Sequence, residues 1–410
     1  MRLPRVALRT LLFTIMLTGL PSLVSADSRA EGSQFGAALR PRPSVFAQPQ
    51  AQSNYQIVYS FKGGRDGGAP IGGLIAQNGL LYGTTAGSNG GADQGTVFVL
   101  SPNGVESVLH RFSGAPDGAE PLASLTALDG ELYGTTNYGG DVSAESKRGC
   151  GTIFAISPSG TESVLSRFKC GLDGWSPRDQ LLAYGGALYG TTFSGGGPTG
   201  SGTVFAANTD GTRNVLYRFE GTQHGSQPVA GLVAVNGILY GSTTEGGDQY
   251  GGYGVIFSIT PAGDFNVIHR CTFLQTGPSA NLLVLDGVFY GTTGGGGPYK
   301  QGTFFSITPS GTETVLHNFT GGKNEGGSPT GPLIALNGAL YGTTEFGGAY
   351  GQGTVFKISS TGTETILHSF AAGADGALPF SGLTVLNGAL YGTTDAGGTM
   401  NAGTVFRIAP

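Results

Sequence analysis

Carboxylate side chains recur at one position of a repeated sequence unit, four residues before a proline. Five of the seven units carry an acid there, although charged residues make up only 11% of the chain. These acids are Asp66, Asp117, Asp173, Glu325 and Asp375, and the other two units have His224 and Leu274. Carboxylates bind hard cations such as calcium, but Asp-Gly pairs also form turns by themselves. The pattern therefore indicates either carboxylates ringing one opening, where calcium or sugar hydroxyls would bind, or a repeated turn.

Two further side chains complete the candidate binding residues. Trp175 is the only tryptophan of the chain and lies two residues after Asp173. Its indole ring either stacks on a sugar ring or covers the contact between two units. His224 is a candidate because it replaces an acid at the repeated position.

The other histidines share a second repeated position, two residues before an aromatic one. They are His110, His269, His317 and His368. Because they fall in four different units, we expect packed strand residues rather than one catalytic group. The sequence has no GxSxG, HExxH or CxxC motif, and the glycine run 294–297 lacks the Lys-Ser/Thr of a phosphate-binding loop. We therefore expect no catalytic residues and no cofactor other than calcium.

Composition excludes several classes of protein. The 410 residues include 76 glycines and 39% hydrophobic residues, and the formal net charge is −5. The hydrophobic content argues against general disorder, and the glycines follow no triplet period, which excludes collagen. The negative charge argues against a nucleic-acid partner, because phosphate binding needs basic patches.

Seven copies of one unit follow residue 54, and two anchors locate them. The first is the tyrosine of a Leu-Tyr-Gly-Thr-Thr motif, found at Tyr82, Tyr133, Tyr189, Tyr240, Tyr290, Tyr341 and Tyr391. The second is the last residue of a Gly-Thr-Val-Phe motif, found at Phe98, Phe154, Phe205, Phe257, Phe305, Phe356 and Phe406. A spacing of about 50 residues is typical of β-propeller blades.

Each unit is predicted to form four short strands. In one unit these are residues 333–336, 340–344, 354–358 and 364–370, and Asn337-Gly338 between the first two is a strong hairpin signal. Residues 55–61 match a fourth strand, whereas the chain stops after a third strand at 404–408. The sequence therefore predicts an all-β fold, a seven-bladed β-propeller over residues 55–410, in which the N-terminal strand completes the last blade.

These anchors resemble the bacterial GloVer tandem-repeat family. Its unit carries Leu-Tyr-Gly-Thr-Thr, Gly-Gly, Gly-Thr-Val-Phe and a Leu-His-x-Phe strand, and the resemblance covers residues 55–410. It implies an exported β-repeat protein and supplies no catalytic residues, because the family is defined by its repeat and by varied surface anchors. We recognise no C-terminal anchor in this chain.

The N-terminus predicts export. Arg2, Arg5 and Arg9 precede an apolar run, and Val24-Ser25-Ala26 is typical of a signal-peptide cleavage site. We therefore expect a signal peptide at 1–26, a flexible leader at 27–54, and a secreted or periplasmic protein without a membrane span in the mature chain.

The three cysteines divide into a pair and a single thiol. Cys150 precedes one strand and Cys170 follows its partner strand, so the hairpin register places them opposite each other and predicts a disulfide. Cys271 replaces an aromatic residue of the repeat, and we expect it to be a buried free thiol.

Loop lengths indicate a working face. The loop between the second and third strands varies most in length, and it shares one face with the connection between units. We expect a monomeric binding or surface-interaction module with a carbohydrate or protein at this face. A polysaccharide lyase or hydrolase with a site at the channel mouth, and a purely structural protein, are the alternatives.

Overall fold

The computed structural model describes residues 54–87, 93–143, 146–248, 252–272 and 277–410. The predicted signal peptide and all but the last residue of the predicted leader lie outside these residues, as does Leu274. No helix in the described part of the chain is long and apolar enough to cross a membrane.

Seven antiparallel sheets of four strands each form the blades of a propeller, which confirms the predicted fold class. The first strands of the blades are Ile75–Gln77, Thr126–Leu128, Leu182–Tyr184, Val233–Val235, Leu283–Leu285, Ile334–Leu336 and Thr384–Leu386. The second strands are Leu80–Thr85, Glu131–Thr136, Ala187–Thr192, Ile238–Ser242, Val288–Thr293, Ala339–Thr344 and Ala389–Thr394. The first strands of neighbouring blades approach one another, so they lie at the centre of the propeller.

The third and fourth strands lie progressively further out. The third strands are Thr96–Leu100, Thr152–Ile156, Thr203–Ala207, Val255–Ile259, Thr303–Ile307, Thr354–Ile358 and Thr404–Ile408. The fourth, or outer, strands are Glu106–Arg111, Glu162–Arg167, Arg213–Arg218, Phe265–Arg270, Glu313–Asn318, Glu364–Ser369 and Tyr55–Ser60. Short 3₁₀ turns follow three outer strands at Gly64–Asp66, Gly171–Asp173 and Gly373–Asp375, and a two-residue pair joins Gly326–Gly327 to Phe346–Gly347.

The N-terminal strand closes the ring, as the sequence predicts. Tyr55–Ser60 pairs antiparallel with Thr404–Ile408, from Tyr55 opposite Ile408 to Ser60 opposite Thr404. The last blade is therefore built from both ends of the propeller sequence.

Aromatic pairs join neighbouring blades. After six of the seven outer strands a buried phenylalanine meets the third-strand phenylalanine of the next blade edge-on, as Phe112 meets Phe154 with ring centroids 5.1 Å apart. Cys271 holds this position after the remaining outer strand. Second-strand glycines leave room for these rings, because a Cβ on Gly291 would lie 2.5 Å from Phe305 Cζ and 2.9 Å from Leu282 Cδ2. The glycine of Leu-Tyr-Gly-Thr-Thr is therefore a packing requirement.

Every outer strand carries a β-bulge that turns its two ends toward different neighbours. In the first blade His110 pairs with Val97 and Glu106 with Leu100, and Leu109 is the extra residue. Val97 and Leu100 are three residues apart and so face opposite sides of the sheet. The bulge thus directs Glu106 toward the preceding blade and His110 toward the following one.

Candidate functional site

Seven interblade seams on the outer strands contain the predicted acidic residues. We define a seam by three positions: the fifth residue of one outer strand, the turn residue that follows it, and the first residue of the next outer strand. The bulge places the first and third positions in the same contact. The acids Asp66, Asp117, Asp173, Glu325 and Asp375 and the histidine His224 are the turn residues, and all are half-buried.

Two seams bring together one imidazole and two carboxylates. In the first, His110 Nε2 lies 3.3 Å from Asp117 Oδ2, and the side chains of His110, Asp117 and Glu162 offer ligand atoms within 4.8 Å of one another. In the second, His317 Nε2 lies 3.0 Å from Glu325 Oε1 and 3.6 Å from Glu364 Oε2. Burial opposes protonation of His317, but the two carboxylates raise its pKa.

Two other histidine seams have a single carboxylate among their described residues. His269 Nε2 lies 2.7 Å from Glu313 Oε2, and the Glu313 carboxylate raises the pKa of His269. His368 Nε2 lies 3.1 Å from Asp375 Oδ2, while Tyr55 stacks on the imidazole at a centroid distance of 3.6 Å. Burial lowers the pKa of His368 despite the nearby carboxylate.

The remaining seams use other side chains. The Arg213 guanidinium donates to Asp173 Oδ2 at 2.5 Å and to Ser166 Oγ at 3.3 Å. The Tyr59 hydroxyl donates to Asp66 at 2.7 Å. The His224 seam is aromatic: Tyr217 stacks on Phe265 at 3.8 Å and His224 meets both rings edge-on.

The turn residues also hold their own turns. Backbone N–H groups donate to the carboxylate four residues later, as Ser113 does to Asp117 at 2.9 Å and Lys169 to Asp173 at 2.8 Å. The acids therefore lie in separate seams beside the outer strands. The predicted arrangement of these carboxylates in a single ring around the channel mouth is wrong. The inner end of each connection, not its acid, reaches the channel. Ion or ligand binding by these residues stays a prediction.

The third seam position does not follow from the sequence pattern described above. Its members are Glu106, Glu162, Arg213, Phe265, Glu313, Glu364 and Tyr55. Five of them carry a charge. Glu106, Glu313 and Glu364 each stand four residues before a histidine, and this recurrence in the sequence indicates a shared role. In a strand without a bulge, residues i and i+4 face the same side of the sheet. The sequence alone would therefore assign this Glu and this His to one seam, whereas the structure places them in two.

A cavity of about 310 Å³ at the centre of the propeller is lined by the residues that follow each repeat proline. Most of these are small or apolar, but one blade contributes Arg178, Asp179 and Gln180. Asp179 accepts a hydrogen bond from Thr191 at 2.5 Å, and burial raises its pKa to about 7. Gly, Ala or Ser occupies the equivalent position of the other blades, and this difference was the signal that the sequence offered.

Trp175 lies beside a second, smaller cavity where two neighbouring blades meet. The cavity measures about 130 Å³, and Tyr138, Trp175 and Phe193 line it together with Cys150. The Arg178 guanidinium stacks on Phe193 at 4.2 Å. Trp175 is half-buried and borders this cavity together with Tyr138 and Cys150 of the preceding blade. Stacking of its indole ring on a sugar stays a prediction.

The cysteine predictions are confirmed except for burial of the single thiol. Cys150 and Cys170 form a disulfide with their Cα atoms 5.5 Å apart. Cys271 is free and partly buried, and this burial raises its thiol pKa to about 12. The five phenylalanines and Phe61 that hold its repeat position are more deeply buried, because each packs against a ring of the next blade.

Exposed apolar side chains concentrate on one face of the propeller. We call this the loop-rich face; it contains the loops between second and third strands and the connections between blades, which pair with each other, as Trp175 does with Ser194. Ten large apolar side chains among the described residues are exposed, and only Val105 and Ile238 lie at the opposite turns. The other eight are Val142, Leu172, Tyr253, Tyr299, Phe346, Tyr350, Phe380 and Met400.

The repeat itself is matched by a known family. The profile described as the Gloeobacter/Verrucomicrobia repeat matches residues 33–252, 141–325 and 247–410. The chain belongs to this family. The Gloeobacter/Verrucomicrobia repeat thus corresponds to the propeller blades described above, and no curated protein matches the chain.

Solved structures with similar folds are distant from this repeat protein. A puromycin hydrolase is 14% identical over 80% of this chain and 50% of its own, with a TM-score of 0.48. A luciferin-regenerating enzyme is 14% identical over 68% of this chain and 88% of its own (TM-score 0.41). Regucalcin, a calcium-binding protein from Agrobacterium tumefaciens, is 10% identical over 86% and 92% (TM-score 0.38). The chain spans half the length of the hydrolase, and none of these likenesses transfers an activity.

Proposed function

We propose that this repeat protein is an exported binding module whose loop-rich face holds a carbohydrate. The observation that carries the proposal is the uneven distribution of exposed apolar side chains between the two faces. Tyr253, Tyr299 and Tyr350 lie in the loops of three successive blades, with 40%, 58% and 64% of each residue exposed. Exposed tyrosine rings stack on the apolar faces of sugar rings while the hydroxyls reach sugar hydroxyls.

The central cavity supplies polar groups on the same face. Arg178, Asp179, Gln180 and Asn281 line it, and these are the side chains that orient a polyol in a shallow site. A protein ligand at this face is the competing occupant, because exposed aromatic side chains also anchor protein interfaces.

An enzyme is the second candidate, and Asp179 is the observation in its favour. A carboxyl with a pKa near 7 in a cavity is suited to proton transfer. Glycoside hydrolysis uses two carboxylates, however, and Asp179 is the only acid among the described residues that line the cavity. This favours binding without turnover.

Export is the setting in which this module would act. The disulfide between Cys150 and Cys170 supports it, because disulfides persist in oxidising compartments. The proposed signal peptide at 1–26 and leader at 27–54 would then precede the propeller.

The experiment is a glycan array and polysaccharide affinity electrophoresis with the full propeller. We expect wild type to bind at least one polysaccharide, and Tyr299→Ala with Tyr350→Ala to weaken that binding at least tenfold without a change in melting temperature. Val105→Ala and Ile238→Ala on the opposite face are the matched controls. Release of reducing ends would favour the enzyme instead, and an array without binding would reject the carbohydrate.

A further inference from the structure

Two of the seven seams are built like metal sites. We propose that the His317–Glu325–Glu364 and His110–Asp117–Glu162 seams each bind one divalent transition-metal ion of the Zn²⁺ class. In each seam the imidazole and the two carboxylates come from two adjacent blades, so a bound ion would link the blades. This inference is independent of the proposed carbohydrate site.

The His317 seam shows the features of a site in most detail. His317 Nε2 is buried and makes no hydrogen bond, although carboxylate oxygens lie 3.0 and 3.6 Å away. Only 5% of the Glu364 side chain is exposed. The three side chains line a cavity of about 460 Å³ that also includes Lys323 and Gly322, so an ion has a path to the ligands.

The His110 seam repeats this arrangement. Its three ligand atoms also lie within 4.8 Å of one another, and Glu162 Oε1 is buried without a hydrogen-bond partner. Two separate seams thus each bury a polar atom that makes no hydrogen bond beside a histidine and two carboxylates; for His317 Nε2 the contacts with the carboxylates are ion pairs. An unsatisfied buried polar atom is costly, and coordination to a cation would remove that cost.

The other seams show what fills this space when the ligand set is changed. Arg213 replaces the glutamate in one seam and places a positive group 2.5 Å from the turn carboxylate of Asp173. Tyr55 replaces it in another and covers His368 with its ring. A histidine with two carboxylates remains open to an external cation, and the imidazole nitrogen favours zinc-type ions over calcium, which prefers an all-oxygen set.

The test measures metal stoichiometry on the full propeller after treatment with a chelator. Zn²⁺ is added at mildly alkaline pH, where imidazole is neutral, and bound metal is counted after dialysis against buffer. We expect two ions per chain for wild type, one for Glu364→Gln, one for Glu162→Gln and none for the double variant. Asp375→Asn, in the seam closed by Tyr55, is the matched control and should keep two.

Two further measurements keep the outcome decisive. Circular dichroism of the chelator-treated variants establishes that each is folded, and Co²⁺ absorption bands report nitrogen and oxygen ligation directly. Loss of the Co²⁺ absorption bands in the double variant would support the assignment. Wild type that retains no Zn²⁺, binding that survives both substitutions, or uptake of Ca²⁺ in preference to Zn²⁺ would overturn it.

Discussion

The buried Asp179 carboxyl gives the stability of the protein a pH dependence. Burial raises its pKa from 3.8 to about 7, against the opposing hydrogen bond from Thr191 and the charge of Arg178. Between these two values the folded protein holds the proton while the unfolded chain has released it. The folded state therefore binds more protons, and the contribution of Asp179 to stability falls as pH rises through this window.

Asp179→Asn should remove this loss. An asparagine oxygen can still accept the hydrogen bond from Thr191, and no charge has to be buried at neutral pH. We expect the variant to melt above wild type at pH 8 and close to it at pH 4. A change of one in the pKa of a group corresponds to about 1.4 kcal/mol in the free energy of unfolding.

Thermal melts across this pH range give the measurement, and the exposed Asp141→Asn serves as the control that should follow wild type. If Asp179→Asn and wild type keep the same separation at every pH, the raised pKa is not the source of the effect.

Gly291 tests the packing of a single residue. A Cβ there would meet Phe305 Cζ at 2.5 Å and Leu282 Cδ2 at 2.9 Å, so the core has to shift. Gly291→Ala should lower the free energy of unfolding by about 1–3 kcal/mol. Gly294→Ala, three residues along the chain, places its Cβ no closer than 3.4 Å to Ser279 Oγ and should be nearly neutral. Denaturant unfolding of both variants compares them, and equal midpoints would contradict the packing argument.

At the scale of elements, the turns and strand order follow from local sequence. Asn337-Gly338 predicts its hairpin because both residues adopt positive φ, here 51° and 75°. The bulge in each outer strand has no comparable signal, since Val-Leu-His reads as an ordinary strand. The acidic positions were therefore found from the sequence, but their partners across the seam were not. Asp179 breaks the repeat, but Arg-Asp-Gln matches no motif, so the sequence alone assigns it no role.

Deletion of the bulge residue tests its role in the seams. Leu316 is the extra residue opposite Phe304 and Phe305, and His317 follows it directly. Removing Leu316 would restore a regular pleat and direct His317 away from Glu364. We expect the deletion to lower the melting temperature well beyond the effect of Leu316→Ala, which keeps the register. A deletion that melts like the alanine variant would show that the bulge does not set the seam.

At the scale of the whole molecule, ring closure depends on a strand from the opposite end of the sequence. Phe61 is fully buried against Phe98 of the first blade, and Tyr55 stacks on His368 of the sixth. The N-terminal strand therefore holds contacts to both neighbours as well as to Thr404–Ile408. Without it the third strand of the last blade would present an unpaired edge, which promotes aggregation.

A chain that begins at Lys62 should therefore unfold at a lower temperature, in one cooperative transition that involves every blade. A chain that begins at Asn54 keeps the closing strand and is the matched control, which should melt like the full protein. A permuted chain carrying residues 54–61 after Pro410, joined by a short glycine linker, should recover most of the lost stability, because the strand pairs with Thr404–Ile408 and needs only a nearby attachment point.

Scanning calorimetry of the three chains measures the effect. Ring closure by this strand would be contradicted if the chain from Lys62 melted at the same temperature as the control, or if the permuted chain were no more stable than the chain from Lys62. In either case the pairing of residues 55–60 with Thr404–Ile408 would not stabilise the closed ring.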